Sequence, residues 1–554
     1  MCGIWIYIQK NTKITDSSVN ISKLYEYFFK INSRGPERSK FITLNDIGIM
    51  LGFHRLCIMD LSPEYDQPYF IEKNGHNIYT LCNGEIYNYE FLKKKYNITT
   101  KTDNDCEILQ YIYAEVGIKG LADELISNEI SGEYAIVIVD IYNNDIKIHM
   151  LRDPTGIRPL FISENNDSIC ITSEMKGSPH LLEKNEYSIK HVQPRIIMTM
   201  GKYGNNITWT YEKYFEIKSS VQKLITCPEI AKNEIKNGLI HAVNTRMHAD
   251  RDLAFLLSGG VDSSLVCAIA AEYAKKNNKK IKTYSIGLPN GTDKKYAELV
   301  SRHIGSEHLH IEMTENDFIN AIEDIVIVCE TYDITTIRAS TGQYLISKYI
   351  RENTDSKVLY IGDGSDELFG SYLYFHKAPT PLDAHNESVR LLNDIHMFDV
   401  LRADRGIASN GLEARIPFLD HRLITTVMNI DPSLRVPING IEKWILRESF
   451  KDTNLLPFEI LYRKKEAFSD GVSSVNKSWY MILQEHIDKL YTDEELLSYQ
   501  QNCDHCVPKT KEALHYRKLY ELHFGNNSYK VVPYFWLPKW CGNIEEPSAR
   551  ILHI

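Results

Sequence analysis

From Met1 to about Phe215, apolar residues come in short runs, several of them alternating with polar ones: Gly3 to Ile8, Ile47 to Arg55, Ile78 to Asn83, Tyr134 to Ile141, Ile146 to Arg152, Leu160 to Ser163 and Ile169 to Thr172. Period-two runs of this length between turn residues predict a mostly antiparallel sheet architecture. Helical pieces such as Asp105 to Glu115 interrupt it, so this half reads as an α+β fold with packed sheets. From about Cys227 the pattern changes to strands alternating with longer helices. Leu253 to Leu257 is followed by a helix through Lys276, then Ile281 to Leu288, a helix from Asp293, His308 to Glu312, helices over Asp317 to Val328 and Gly342 to Glu352, and Val358 to Ile361. That rhythm predicts an α/β fold, a right-handed, doubly wound parallel sheet with ligands at its carboxyl edge. The weakly patterned Glu216 to Pro228 reads as a linker between units at 2–215 and 228–554, and the polar Glu494 to Lys511 as a surface loop.

Composition narrows the class. With 43% hydrophobic and 25% charged residues in a chain of 554, a large core is affordable and wholesale disorder is excluded. The formal net charge of −10 gives no overall attraction to nucleic acid or an anionic membrane. No run approaches the ~20 apolar residues of a membrane span, and no secretory pattern follows Met1, so a cytoplasmic protein acting on small molecules is expected, with room for a homodimer. Eleven cysteines scattered from Cys2 to Cys541 fit reduced thiols. Cys503 and Cys506 lack the second pair that a structural zinc needs and read as loop thiols.

If Met1 is removed, Cys2 carries a thiol and a free amine on one residue, and the amine can serve as base. Asn83-Gly84 after an apolar strand offers a side-chain amide and an unobstructed backbone N–H, two donors that suit an oxyanion, although such a pair is also a common hairpin turn. Arg55 could grip a carboxylate and Asp105 an ammonium group; taken singly, either could be a surface charge. Together the two clamps describe an amino acid.

These motifs, with Met1-Cys2-Gly3-Ile4, Ser33-Arg34-Gly35-Pro36, Gly52-Phe53-His54-Arg55-Leu56, Asn83-Gly84-Glu85-Ile86-Tyr87-Asn88, Asn104-Asp105-Cys106-Glu107 and Arg152-Asp153-Pro154-Thr155-Gly156 in order, resemble the class II glutamine amidotransferases. The resemblance implies an Ntn-type αββα glutaminase. In it Cys2 attacks the glutamine amide, Asn83 and Gly84 stabilise the oxyanion, Arg55, Glu85 and Asp105 bind glutamine, and the main chain of Leu56 and Ile58 lines the site. Glu37 stands where that family usually has Asp.

In the second half, Ser258-Gly259-Gly260-Val261-Asp262-Ser263-Ser264 joins a buried strand to a helix, where backbone N–H groups can approach phosphates. It is not a Walker A loop. The sequence resembles the pyrophosphate loop of N-type ATP pyrophosphatases, in which Asp262 suits Mg²⁺. Gly362-Asp363-Gly364-Ser365-Asp366-Glu367 follows another strand and reads as a metal and substrate loop facing the first, since Glu367 stands where a dinucleotide fingerprint needs its third glycine.

Glu330 through Ser340, Tyr372 through Pro379, Gly411 through Asp420, Phe468-Ser469-Asp470-Gly471-Val472 and the tail with Trp536-Leu537-Pro538-Lys539-Trp540 and Pro547-Ser548-Ala549-Arg550 resemble the glutamine-hydrolysing asparagine synthetases along nearly the whole chain. The resemblance implies ATP and Mg²⁺ as cofactors and glutamine, aspartate and ammonia as further small-molecule ligands. It places Leu256, Ile286, Ile361 and Gly362 at ATP, Thr335, Thr336 and Arg338 at aspartate, Lys465 and Asp366 at the reacting phosphates, with Asp366 also beside the metal. Three positions depart from the pattern: Asp363 in place of Glu, where the acyl-adenylate forms; Tyr360-Ile361 in place of a serine; and Ser371 in place of a glycine. An amidotransferase with another carboxylate acceptor, and a ligand sensor whose chemistry has decayed at Asp363, are the rival readings.

Overall fold

In the first strand the period-two pattern resolves into two buried faces. Ile4, Ile6 and Ile8 join Leu51, Phe53, Val137, Val139, Ile148 and Met150 between two sheets, whereas Trp5 and Tyr7 pack outward with Leu24, Phe28 and Met50. This computed structural model describes residues 1–10, 20–63, 66–127, 132–181, 186–217, 224–466, 471–473, 477–542, 544–545 and 547. Phe468-Ser469-Asp470, Ser548-Ala549-Arg550 and residues 218–223 of the expected linker lie outside the described residues.

The amino-terminal strands are β1 (Gly3–Gln9), β2 (Arg38–Leu44), β3 (Ile49–Arg55), β4 (Tyr69–Lys73), β5 (His76–Ile86), β6 (Gly132–Tyr142), β7 (Asp145–Arg152), β8 (Phe161–Glu164), β9 (Ser168–Thr172), β10 (Ser188–His191), β11 (Ile196–Tyr203) and β12 (Asn206–Lys213). They form two six-stranded antiparallel sheets in the orders β10-β8-β9-β1-β3-β2 and β12-β11-β7-β6-β5-β4. The helix Ile21–Phe29 covers the outer face of the first, and Leu109 and Ile112 of the helix Ile108–Ile126 pack with Cys82, Ile136 and Ile138 of the second. The result is the expected αββα layering. Hydrophobic alternation misses the edge strands β2, β4, β10 and β12, whose residues are largely half-buried or exposed and so carry polar side chains. It also misses β11, an interior strand with a mostly buried pattern.

The second sheet system is parallel: β13 (Leu253–Leu256), β14 (Lys282–Gly287), β15 (Glu307–Glu312), β16 (Val358–Tyr360) and β17 (Glu413–Arg415), in the order β15-β14-β13-β16-β17. Strand order reverses between β13 and β16, so a crevice opens beyond their carboxyl ends. The Ser258 loop leaves β13 at that point and the Gly362 loop leaves β16 beside it. A Cβ on Gly362 would lie 2.7 Å from the Ser263 nitrogen, so only glycine lets the loops meet this closely.

Three local expectations change. The helix read from Asp317 is two helices, Glu315–Asn320 and Ile322–Cys329. The helix read from Gly342 starts at Ile334, where the Asp333 carboxylate caps it by accepting the Thr336 N–H. The polar Glu494 to Lys511 is not all loop: Thr492 and Glu495 form a capping box that starts the helix Asp493–Gln501, no residue of which is buried. Its polarity reflects a helix that is half-buried at most rather than missing helix. Cys503 and Cys506 do lie outside any helix or strand, and the eleven cysteines are free. Among the described residues, no helix is long and apolar enough to cross a membrane.

Candidate functional site

Cys2 stands at the start of β1, a strand paired on both sides by β3 and β9. Its backbone nitrogen donates to Asn83 Oδ1 at 2.9 Å, its carbonyl accepts Arg34 Nε at 2.9 Å, and its Sγ–H points to the Leu56 carbonyl at 3.8 Å. The buried Asn83 amide nitrogen has no hydrogen-bond partner. A buried donor without an acceptor costs about 1–3 kcal/mol, a cost that a ligand oxygen placed against it would recover. Gly84 has φ +154°, and a Cβ there would lie 2.0 Å from the Glu133 carbonyl oxygen, so β5 and β6 meet in a form only glycine allows.

Burial pushes the Cys2 thiol up, opposed by the Met1 ammonium and the Leu56 hydrogen bond. With Met1 attached, the Cys2 nitrogen is an amide and cannot act as base. The Asp105 carboxylate accepts the Ile86 N–H at 2.5 Å, and burial raises it to about 6 against that hydrogen bond. Glu85 is buried 3.5 Å from Arg415. Arg55 donates to Asp66 at 2.8 Å, the Ser62 carbonyl at 2.9 Å and the Met59 and Asp60 carbonyls. A ligand carboxylate must therefore share Arg55 with Asp66. The backbone of Ile58 accepts the Asp250 N–H, and Leu56 and Ile58 have buried side chains, which leaves main chain as what they can offer.

At the switch point of the parallel sheet, Ser258 and Ser263 hydroxyls lie 3.0 Å apart and the Ser258 hydroxyl accepts the Gly260 N–H at 3.3 Å, tying the Ser258-Gly259-Gly260 turn to its helix. Asp262 and Asp366 converge on one ammonium group: Lys443 Nζ is 2.5 Å from each. Lys465 reaches the other oxygen of Asp366 at 2.5 Å, and Ser365 donates to Asp262 at 2.8 Å. Burial alone would raise the Asp366 carboxyl, but Lys443 and Lys465 hold it far below the usual range. Two carboxylates and two ammonium groups in one crevice suit a polyphosphate and a hard cation. Among the described residues no group of three or more His, Cys, Asp or Glu is placed to hold a metal. The Asp262–Asp366 pair nonetheless fits Mg²⁺, which ordinarily takes one or two carboxylates and completes its shell with phosphate and water.

Asp363 lies 2.7 Å from Arg402 and accepts from Gln343 at 3.3 Å. Burial raises its carboxyl and Arg402 opposes the rise. Ile286 and Ile361 are 2% and 1% exposed, so their side chains belong to the core; Leu256 is only half-buried. Arg338 is committed elsewhere: it donates to both oxygens of Glu512, at 2.8 and 2.5 Å. Thr336 Oγ1 donates to Asp333 at 2.7 Å and Thr335 Oγ1 to the Trp536 carbonyl at 3.2 Å. The sequence alone does not single out Lys443, Arg402, Gln343 and Asp399, none of which stands in a patterned glycine-rich or acidic turn, and it gives no role to Arg34, although that residue lies in Ser33-Arg34-Gly35-Pro36.

Buried ions join the two halves. Arg34 pairs with Glu174 and Asp404, each at 2.8 Å; Glu133 pairs with Arg158 at 2.9 Å and Arg246 at 2.8 Å; Arg246 also holds Asp420 at 2.9 Å.

Residues 1–209 match the model of the glutamine amidotransferase domain, and 234–384 and 379–530 that of asparagine synthase. The chain is 39% identical to the glutamine-hydrolysing asparagine synthetase of Gallus gallus and 38% to that of Homo sapiens, in each case over 100% of this chain and 98% of the relative. It is 39% identical to a probable glutamine-hydrolysing asparagine synthetase of Acanthamoeba polyphaga mimivirus, over 100% of both. Among solved structures, a glutamine phosphoribosylpyrophosphate amidotransferase from B. subtilis is similar at 16% identity and TM-score 0.30, covering 50% of this chain and 64% of that one.

Proposed function

The chain belongs to the family of glutamine-hydrolysing asparagine synthetases, ATP-driven ligases that amidate aspartate with nitrogen from glutamine, and from that premise we propose how its two sites divide the reaction. Residues 2–215 form the glutaminase unit and 228–554 the synthetase unit of a cytoplasmic enzyme. Removal of Met1 frees the Cys2 amine, which takes the thiol proton as Sγ attacks the glutamine amide carbon. Asn83 Nδ2 and the Gly84 N–H hold the resulting oxyanion, ammonia leaves, and water returns Cys2 and glutamate. Arg55 with Glu85 and Asp105 orients the glutamine backbone groups, with Leu56 and Ile58 main chain alongside.

In the other unit, the β-carboxylate of aspartate displaces pyrophosphate from ATP to form β-aspartyl-AMP, and ammonia then displaces AMP. Leu256, Ile286, Ile361 and Gly362 border the nucleotide, and the Ser258 to Ser263 loop with Lys443 and Lys465 binds the departing phosphates. Asp262 and Asp366 would hold Mg²⁺, which supplies charge neutralisation to those phosphates when bound. Asp363 serves adenylate formation. Thr335, Thr336 and Arg338 stand for aspartate recognition, with Arg338 released from Glu512 or acting through it.

The observation that carries this reading is the meeting of Asp262, Asp366, Lys443 and Lys465 at the switch point, on the same chain as a cysteine whose backbone nitrogen is bonded to the Asn83 carboxamide, the amide nitrogen of which is buried and unsatisfied. Incubation with amide-¹⁵N glutamine, aspartate and ATP·Mg²⁺ tests it: labelled asparagine with stoichiometric AMP and pyrophosphate is expected. Glutamate without asparagine or AMP would sink it, and a competing acceptor would point to another carboxylate.

Two further outcomes follow from the site. Asp363 retracts its carboxylate by one methylene, and its pairing with Arg402 holds it back further; Asp363→Glu is expected to raise pyrophosphate formation about three- to tenfold, up to ~1.4 kcal/mol of barrier. An equal or lower rate refutes the handicap. Asp105 must be ionised to hold an ammonium. Since burial places it at about 6, the neutral form takes over as pH falls below that value, and kcat/KM for glutamine should there lose a further factor of about ten per unit, on top of the fall set by protonation of the Cys2 amine at its ordinary pKa of ~7.7–8.0. Asp105→Asn should remove that additional limb and leave the fall set by the Cys2 amine, at a low kcat/KM throughout.

A further inference from the structure

Cys503 and Cys506 stand in the connection between the helices Asp493–Gln501 and Lys511–Phe524, both half-buried and both free. The Cys503 Sγ–H donates to the His505 carbonyl at 3.3 Å. Cys506 Sγ lies 3.4 Å from His505 Nε2 and 3.9 Å from the Val532 carbonyl, and it faces the Tyr332 hydroxyl. Two residues separate the thiols, and Cys506 has φ 48°, a left-handed conformation that turns the chain back on itself. Among the described residues no three side chains are gathered to hold a metal, so Cys503, His505 and Cys506 do not make such a site. Two half-buried thiols at this spacing have another chemistry open to them, exchange with a disulfide.

Closing the pair leaves no acceptor bare. The His505 carbonyl also accepts Arg517 Nη1 at 3.2 Å, and the Val532 carbonyl also accepts His505 Nε2 at 2.7 Å, so the weak S–H donors are dispensable. The residues between the two sulfurs are the ones that grip the carboxyl-terminal segment. Asp504 accepts from the Tyr529 hydroxyl at 3.4 Å, and His505 packs 5.5 Å from the Tyr529 ring while donating to Val532. From its other side the same segment is held by Tyr332, which donates to the Tyr529 carbonyl at 2.8 Å, and by Asp333, which accepts the Trp536 N–H at 2.8 Å. We propose that Cys503 and Cys506 form a reversible disulfide with a small-molecule disulfide as oxidant, and that the closed four-residue ring fixes the grip of Asp504 and His505 on Tyr529 and Val532. Burial pushes the Cys506 thiol up to about 11, so the first attack falls to Cys503. Its sulfur bonds to one sulfur of the oxidant and expels the other as a thiol. The Cys506 sulfur then attacks the Cys503 sulfur, gives up its proton and releases the second thiol. The protein loses two electrons and two protons, and the oxidant gains them as two thiols. The chain entropy of a four-residue ring sets a ceiling of ~20-fold on how far local opening of this loop can be suppressed. This site is independent of the proposed division of the reaction.

The test incubates the full-length protein, freed of reductant, with oxidised glutathione, alkylates the remaining thiols and maps the peptides by mass. The peptide that carries both Cys503 and Cys506 is expected unalkylated and lighter by two hydrogens, and dithiothreitol should restore both thiols. In Cys503→Ser, Cys506 should remain open to alkylation. Limited chymotrypsin digestion reads the consequence: cleavage between Tyr529 and Trp540 should be at least about threefold slower in the oxidised parent than in the reduced parent, with no such difference in Cys503→Ser. The comparison of the two parent forms stands even if the variant fails to fold. A glutathione adduct that stops at Cys503, a link from either thiol to the half-buried Cys541 of the same segment, or equal cleavage of the oxidised and reduced parent overturns the proposal.

Discussion

Cys2→Ala is expected to lower glutamine-dependent asparagine formation by at least about 10³-fold while leaving synthesis from saturating free ammonia within about threefold of the parent. The substitution removes only sulfur. The backbone bonds from the Cys2 nitrogen to Asn83 and from Arg34 to the Cys2 carbonyl do not involve the side chain, so the strand and its carboxamide partner stay in place. No neighbouring thiol can substitute: Cys57 is buried and its thiol is pushed up by burial to about 11, and Cys82 and Cys106 are buried as well. Parallel assays with glutamine and with ammonium chloride as nitrogen source decide the matter. Equal loss of both activities would mean that Cys2 serves the whole protein and not one site.

Lys443→Met is expected to act on the opposite activity. Methionine fills a similar volume but leaves Asp262 and Asp366 facing each other without the ammonium group that lies 2.5 Å from each. Breaking a buried pair costs about 3–5 kcal/mol, and the partial exposure of the two carboxylates brings the expected loss to about 2–3 kcal/mol. Lys465 remains on Asp366, which limits the damage to one of two cations. Loss of a cation placed for the departing phosphates should cut pyrophosphate formation on the order of 10²-fold, equivalent to ~2.7 kcal/mol. Glutamate release from glutamine without ATP should change less than twofold. Pyrophosphate release at the parent rate would show that Lys443 only fills space between the loops.

What could be read from the sequence was local. The Ser258 to Ser264 turn and the Gly362 to Glu367 turn each lie within a few residues of their own strand, so strand, glycines and acidic group appear together along the chain, and the switch point follows from the alternation of strands and helices. Lys443 reaches Asp262 across 181 residues, from a segment with no patterned neighbours, and an isolated lysine beside a glutamate looks like any solvated pair. Arg338 is the converse case. Its motif was visible, but the Glu512 carboxylate that occupies its guanidinium lies 174 residues away on another helix. Edge strands escaped for a related reason: half-exposed residues do not alternate cleanly. The Asp493–Gln501 helix was legible after all, in the Thr492 and Glu495 capping pair rather than in any apolar stripe.

The charged seam also bears on how such a chain can be recombined. Arg34 keeps Glu174 from its own half and Asp404 from the other, and Glu133 keeps Arg158 at home and Arg246 across the boundary. Each ion is thus addressed twice, once for folding and once for docking. A foreign glutaminase unit with the same sheets but other residues at these positions would bring Asp404 into a dry boundary without a counter-ion and leave Arg246 with Asp420 alone, and mismatched buried charges discriminate between partners more sharply than apolar contact does. The halves are therefore matched parts, not interchangeable cassettes.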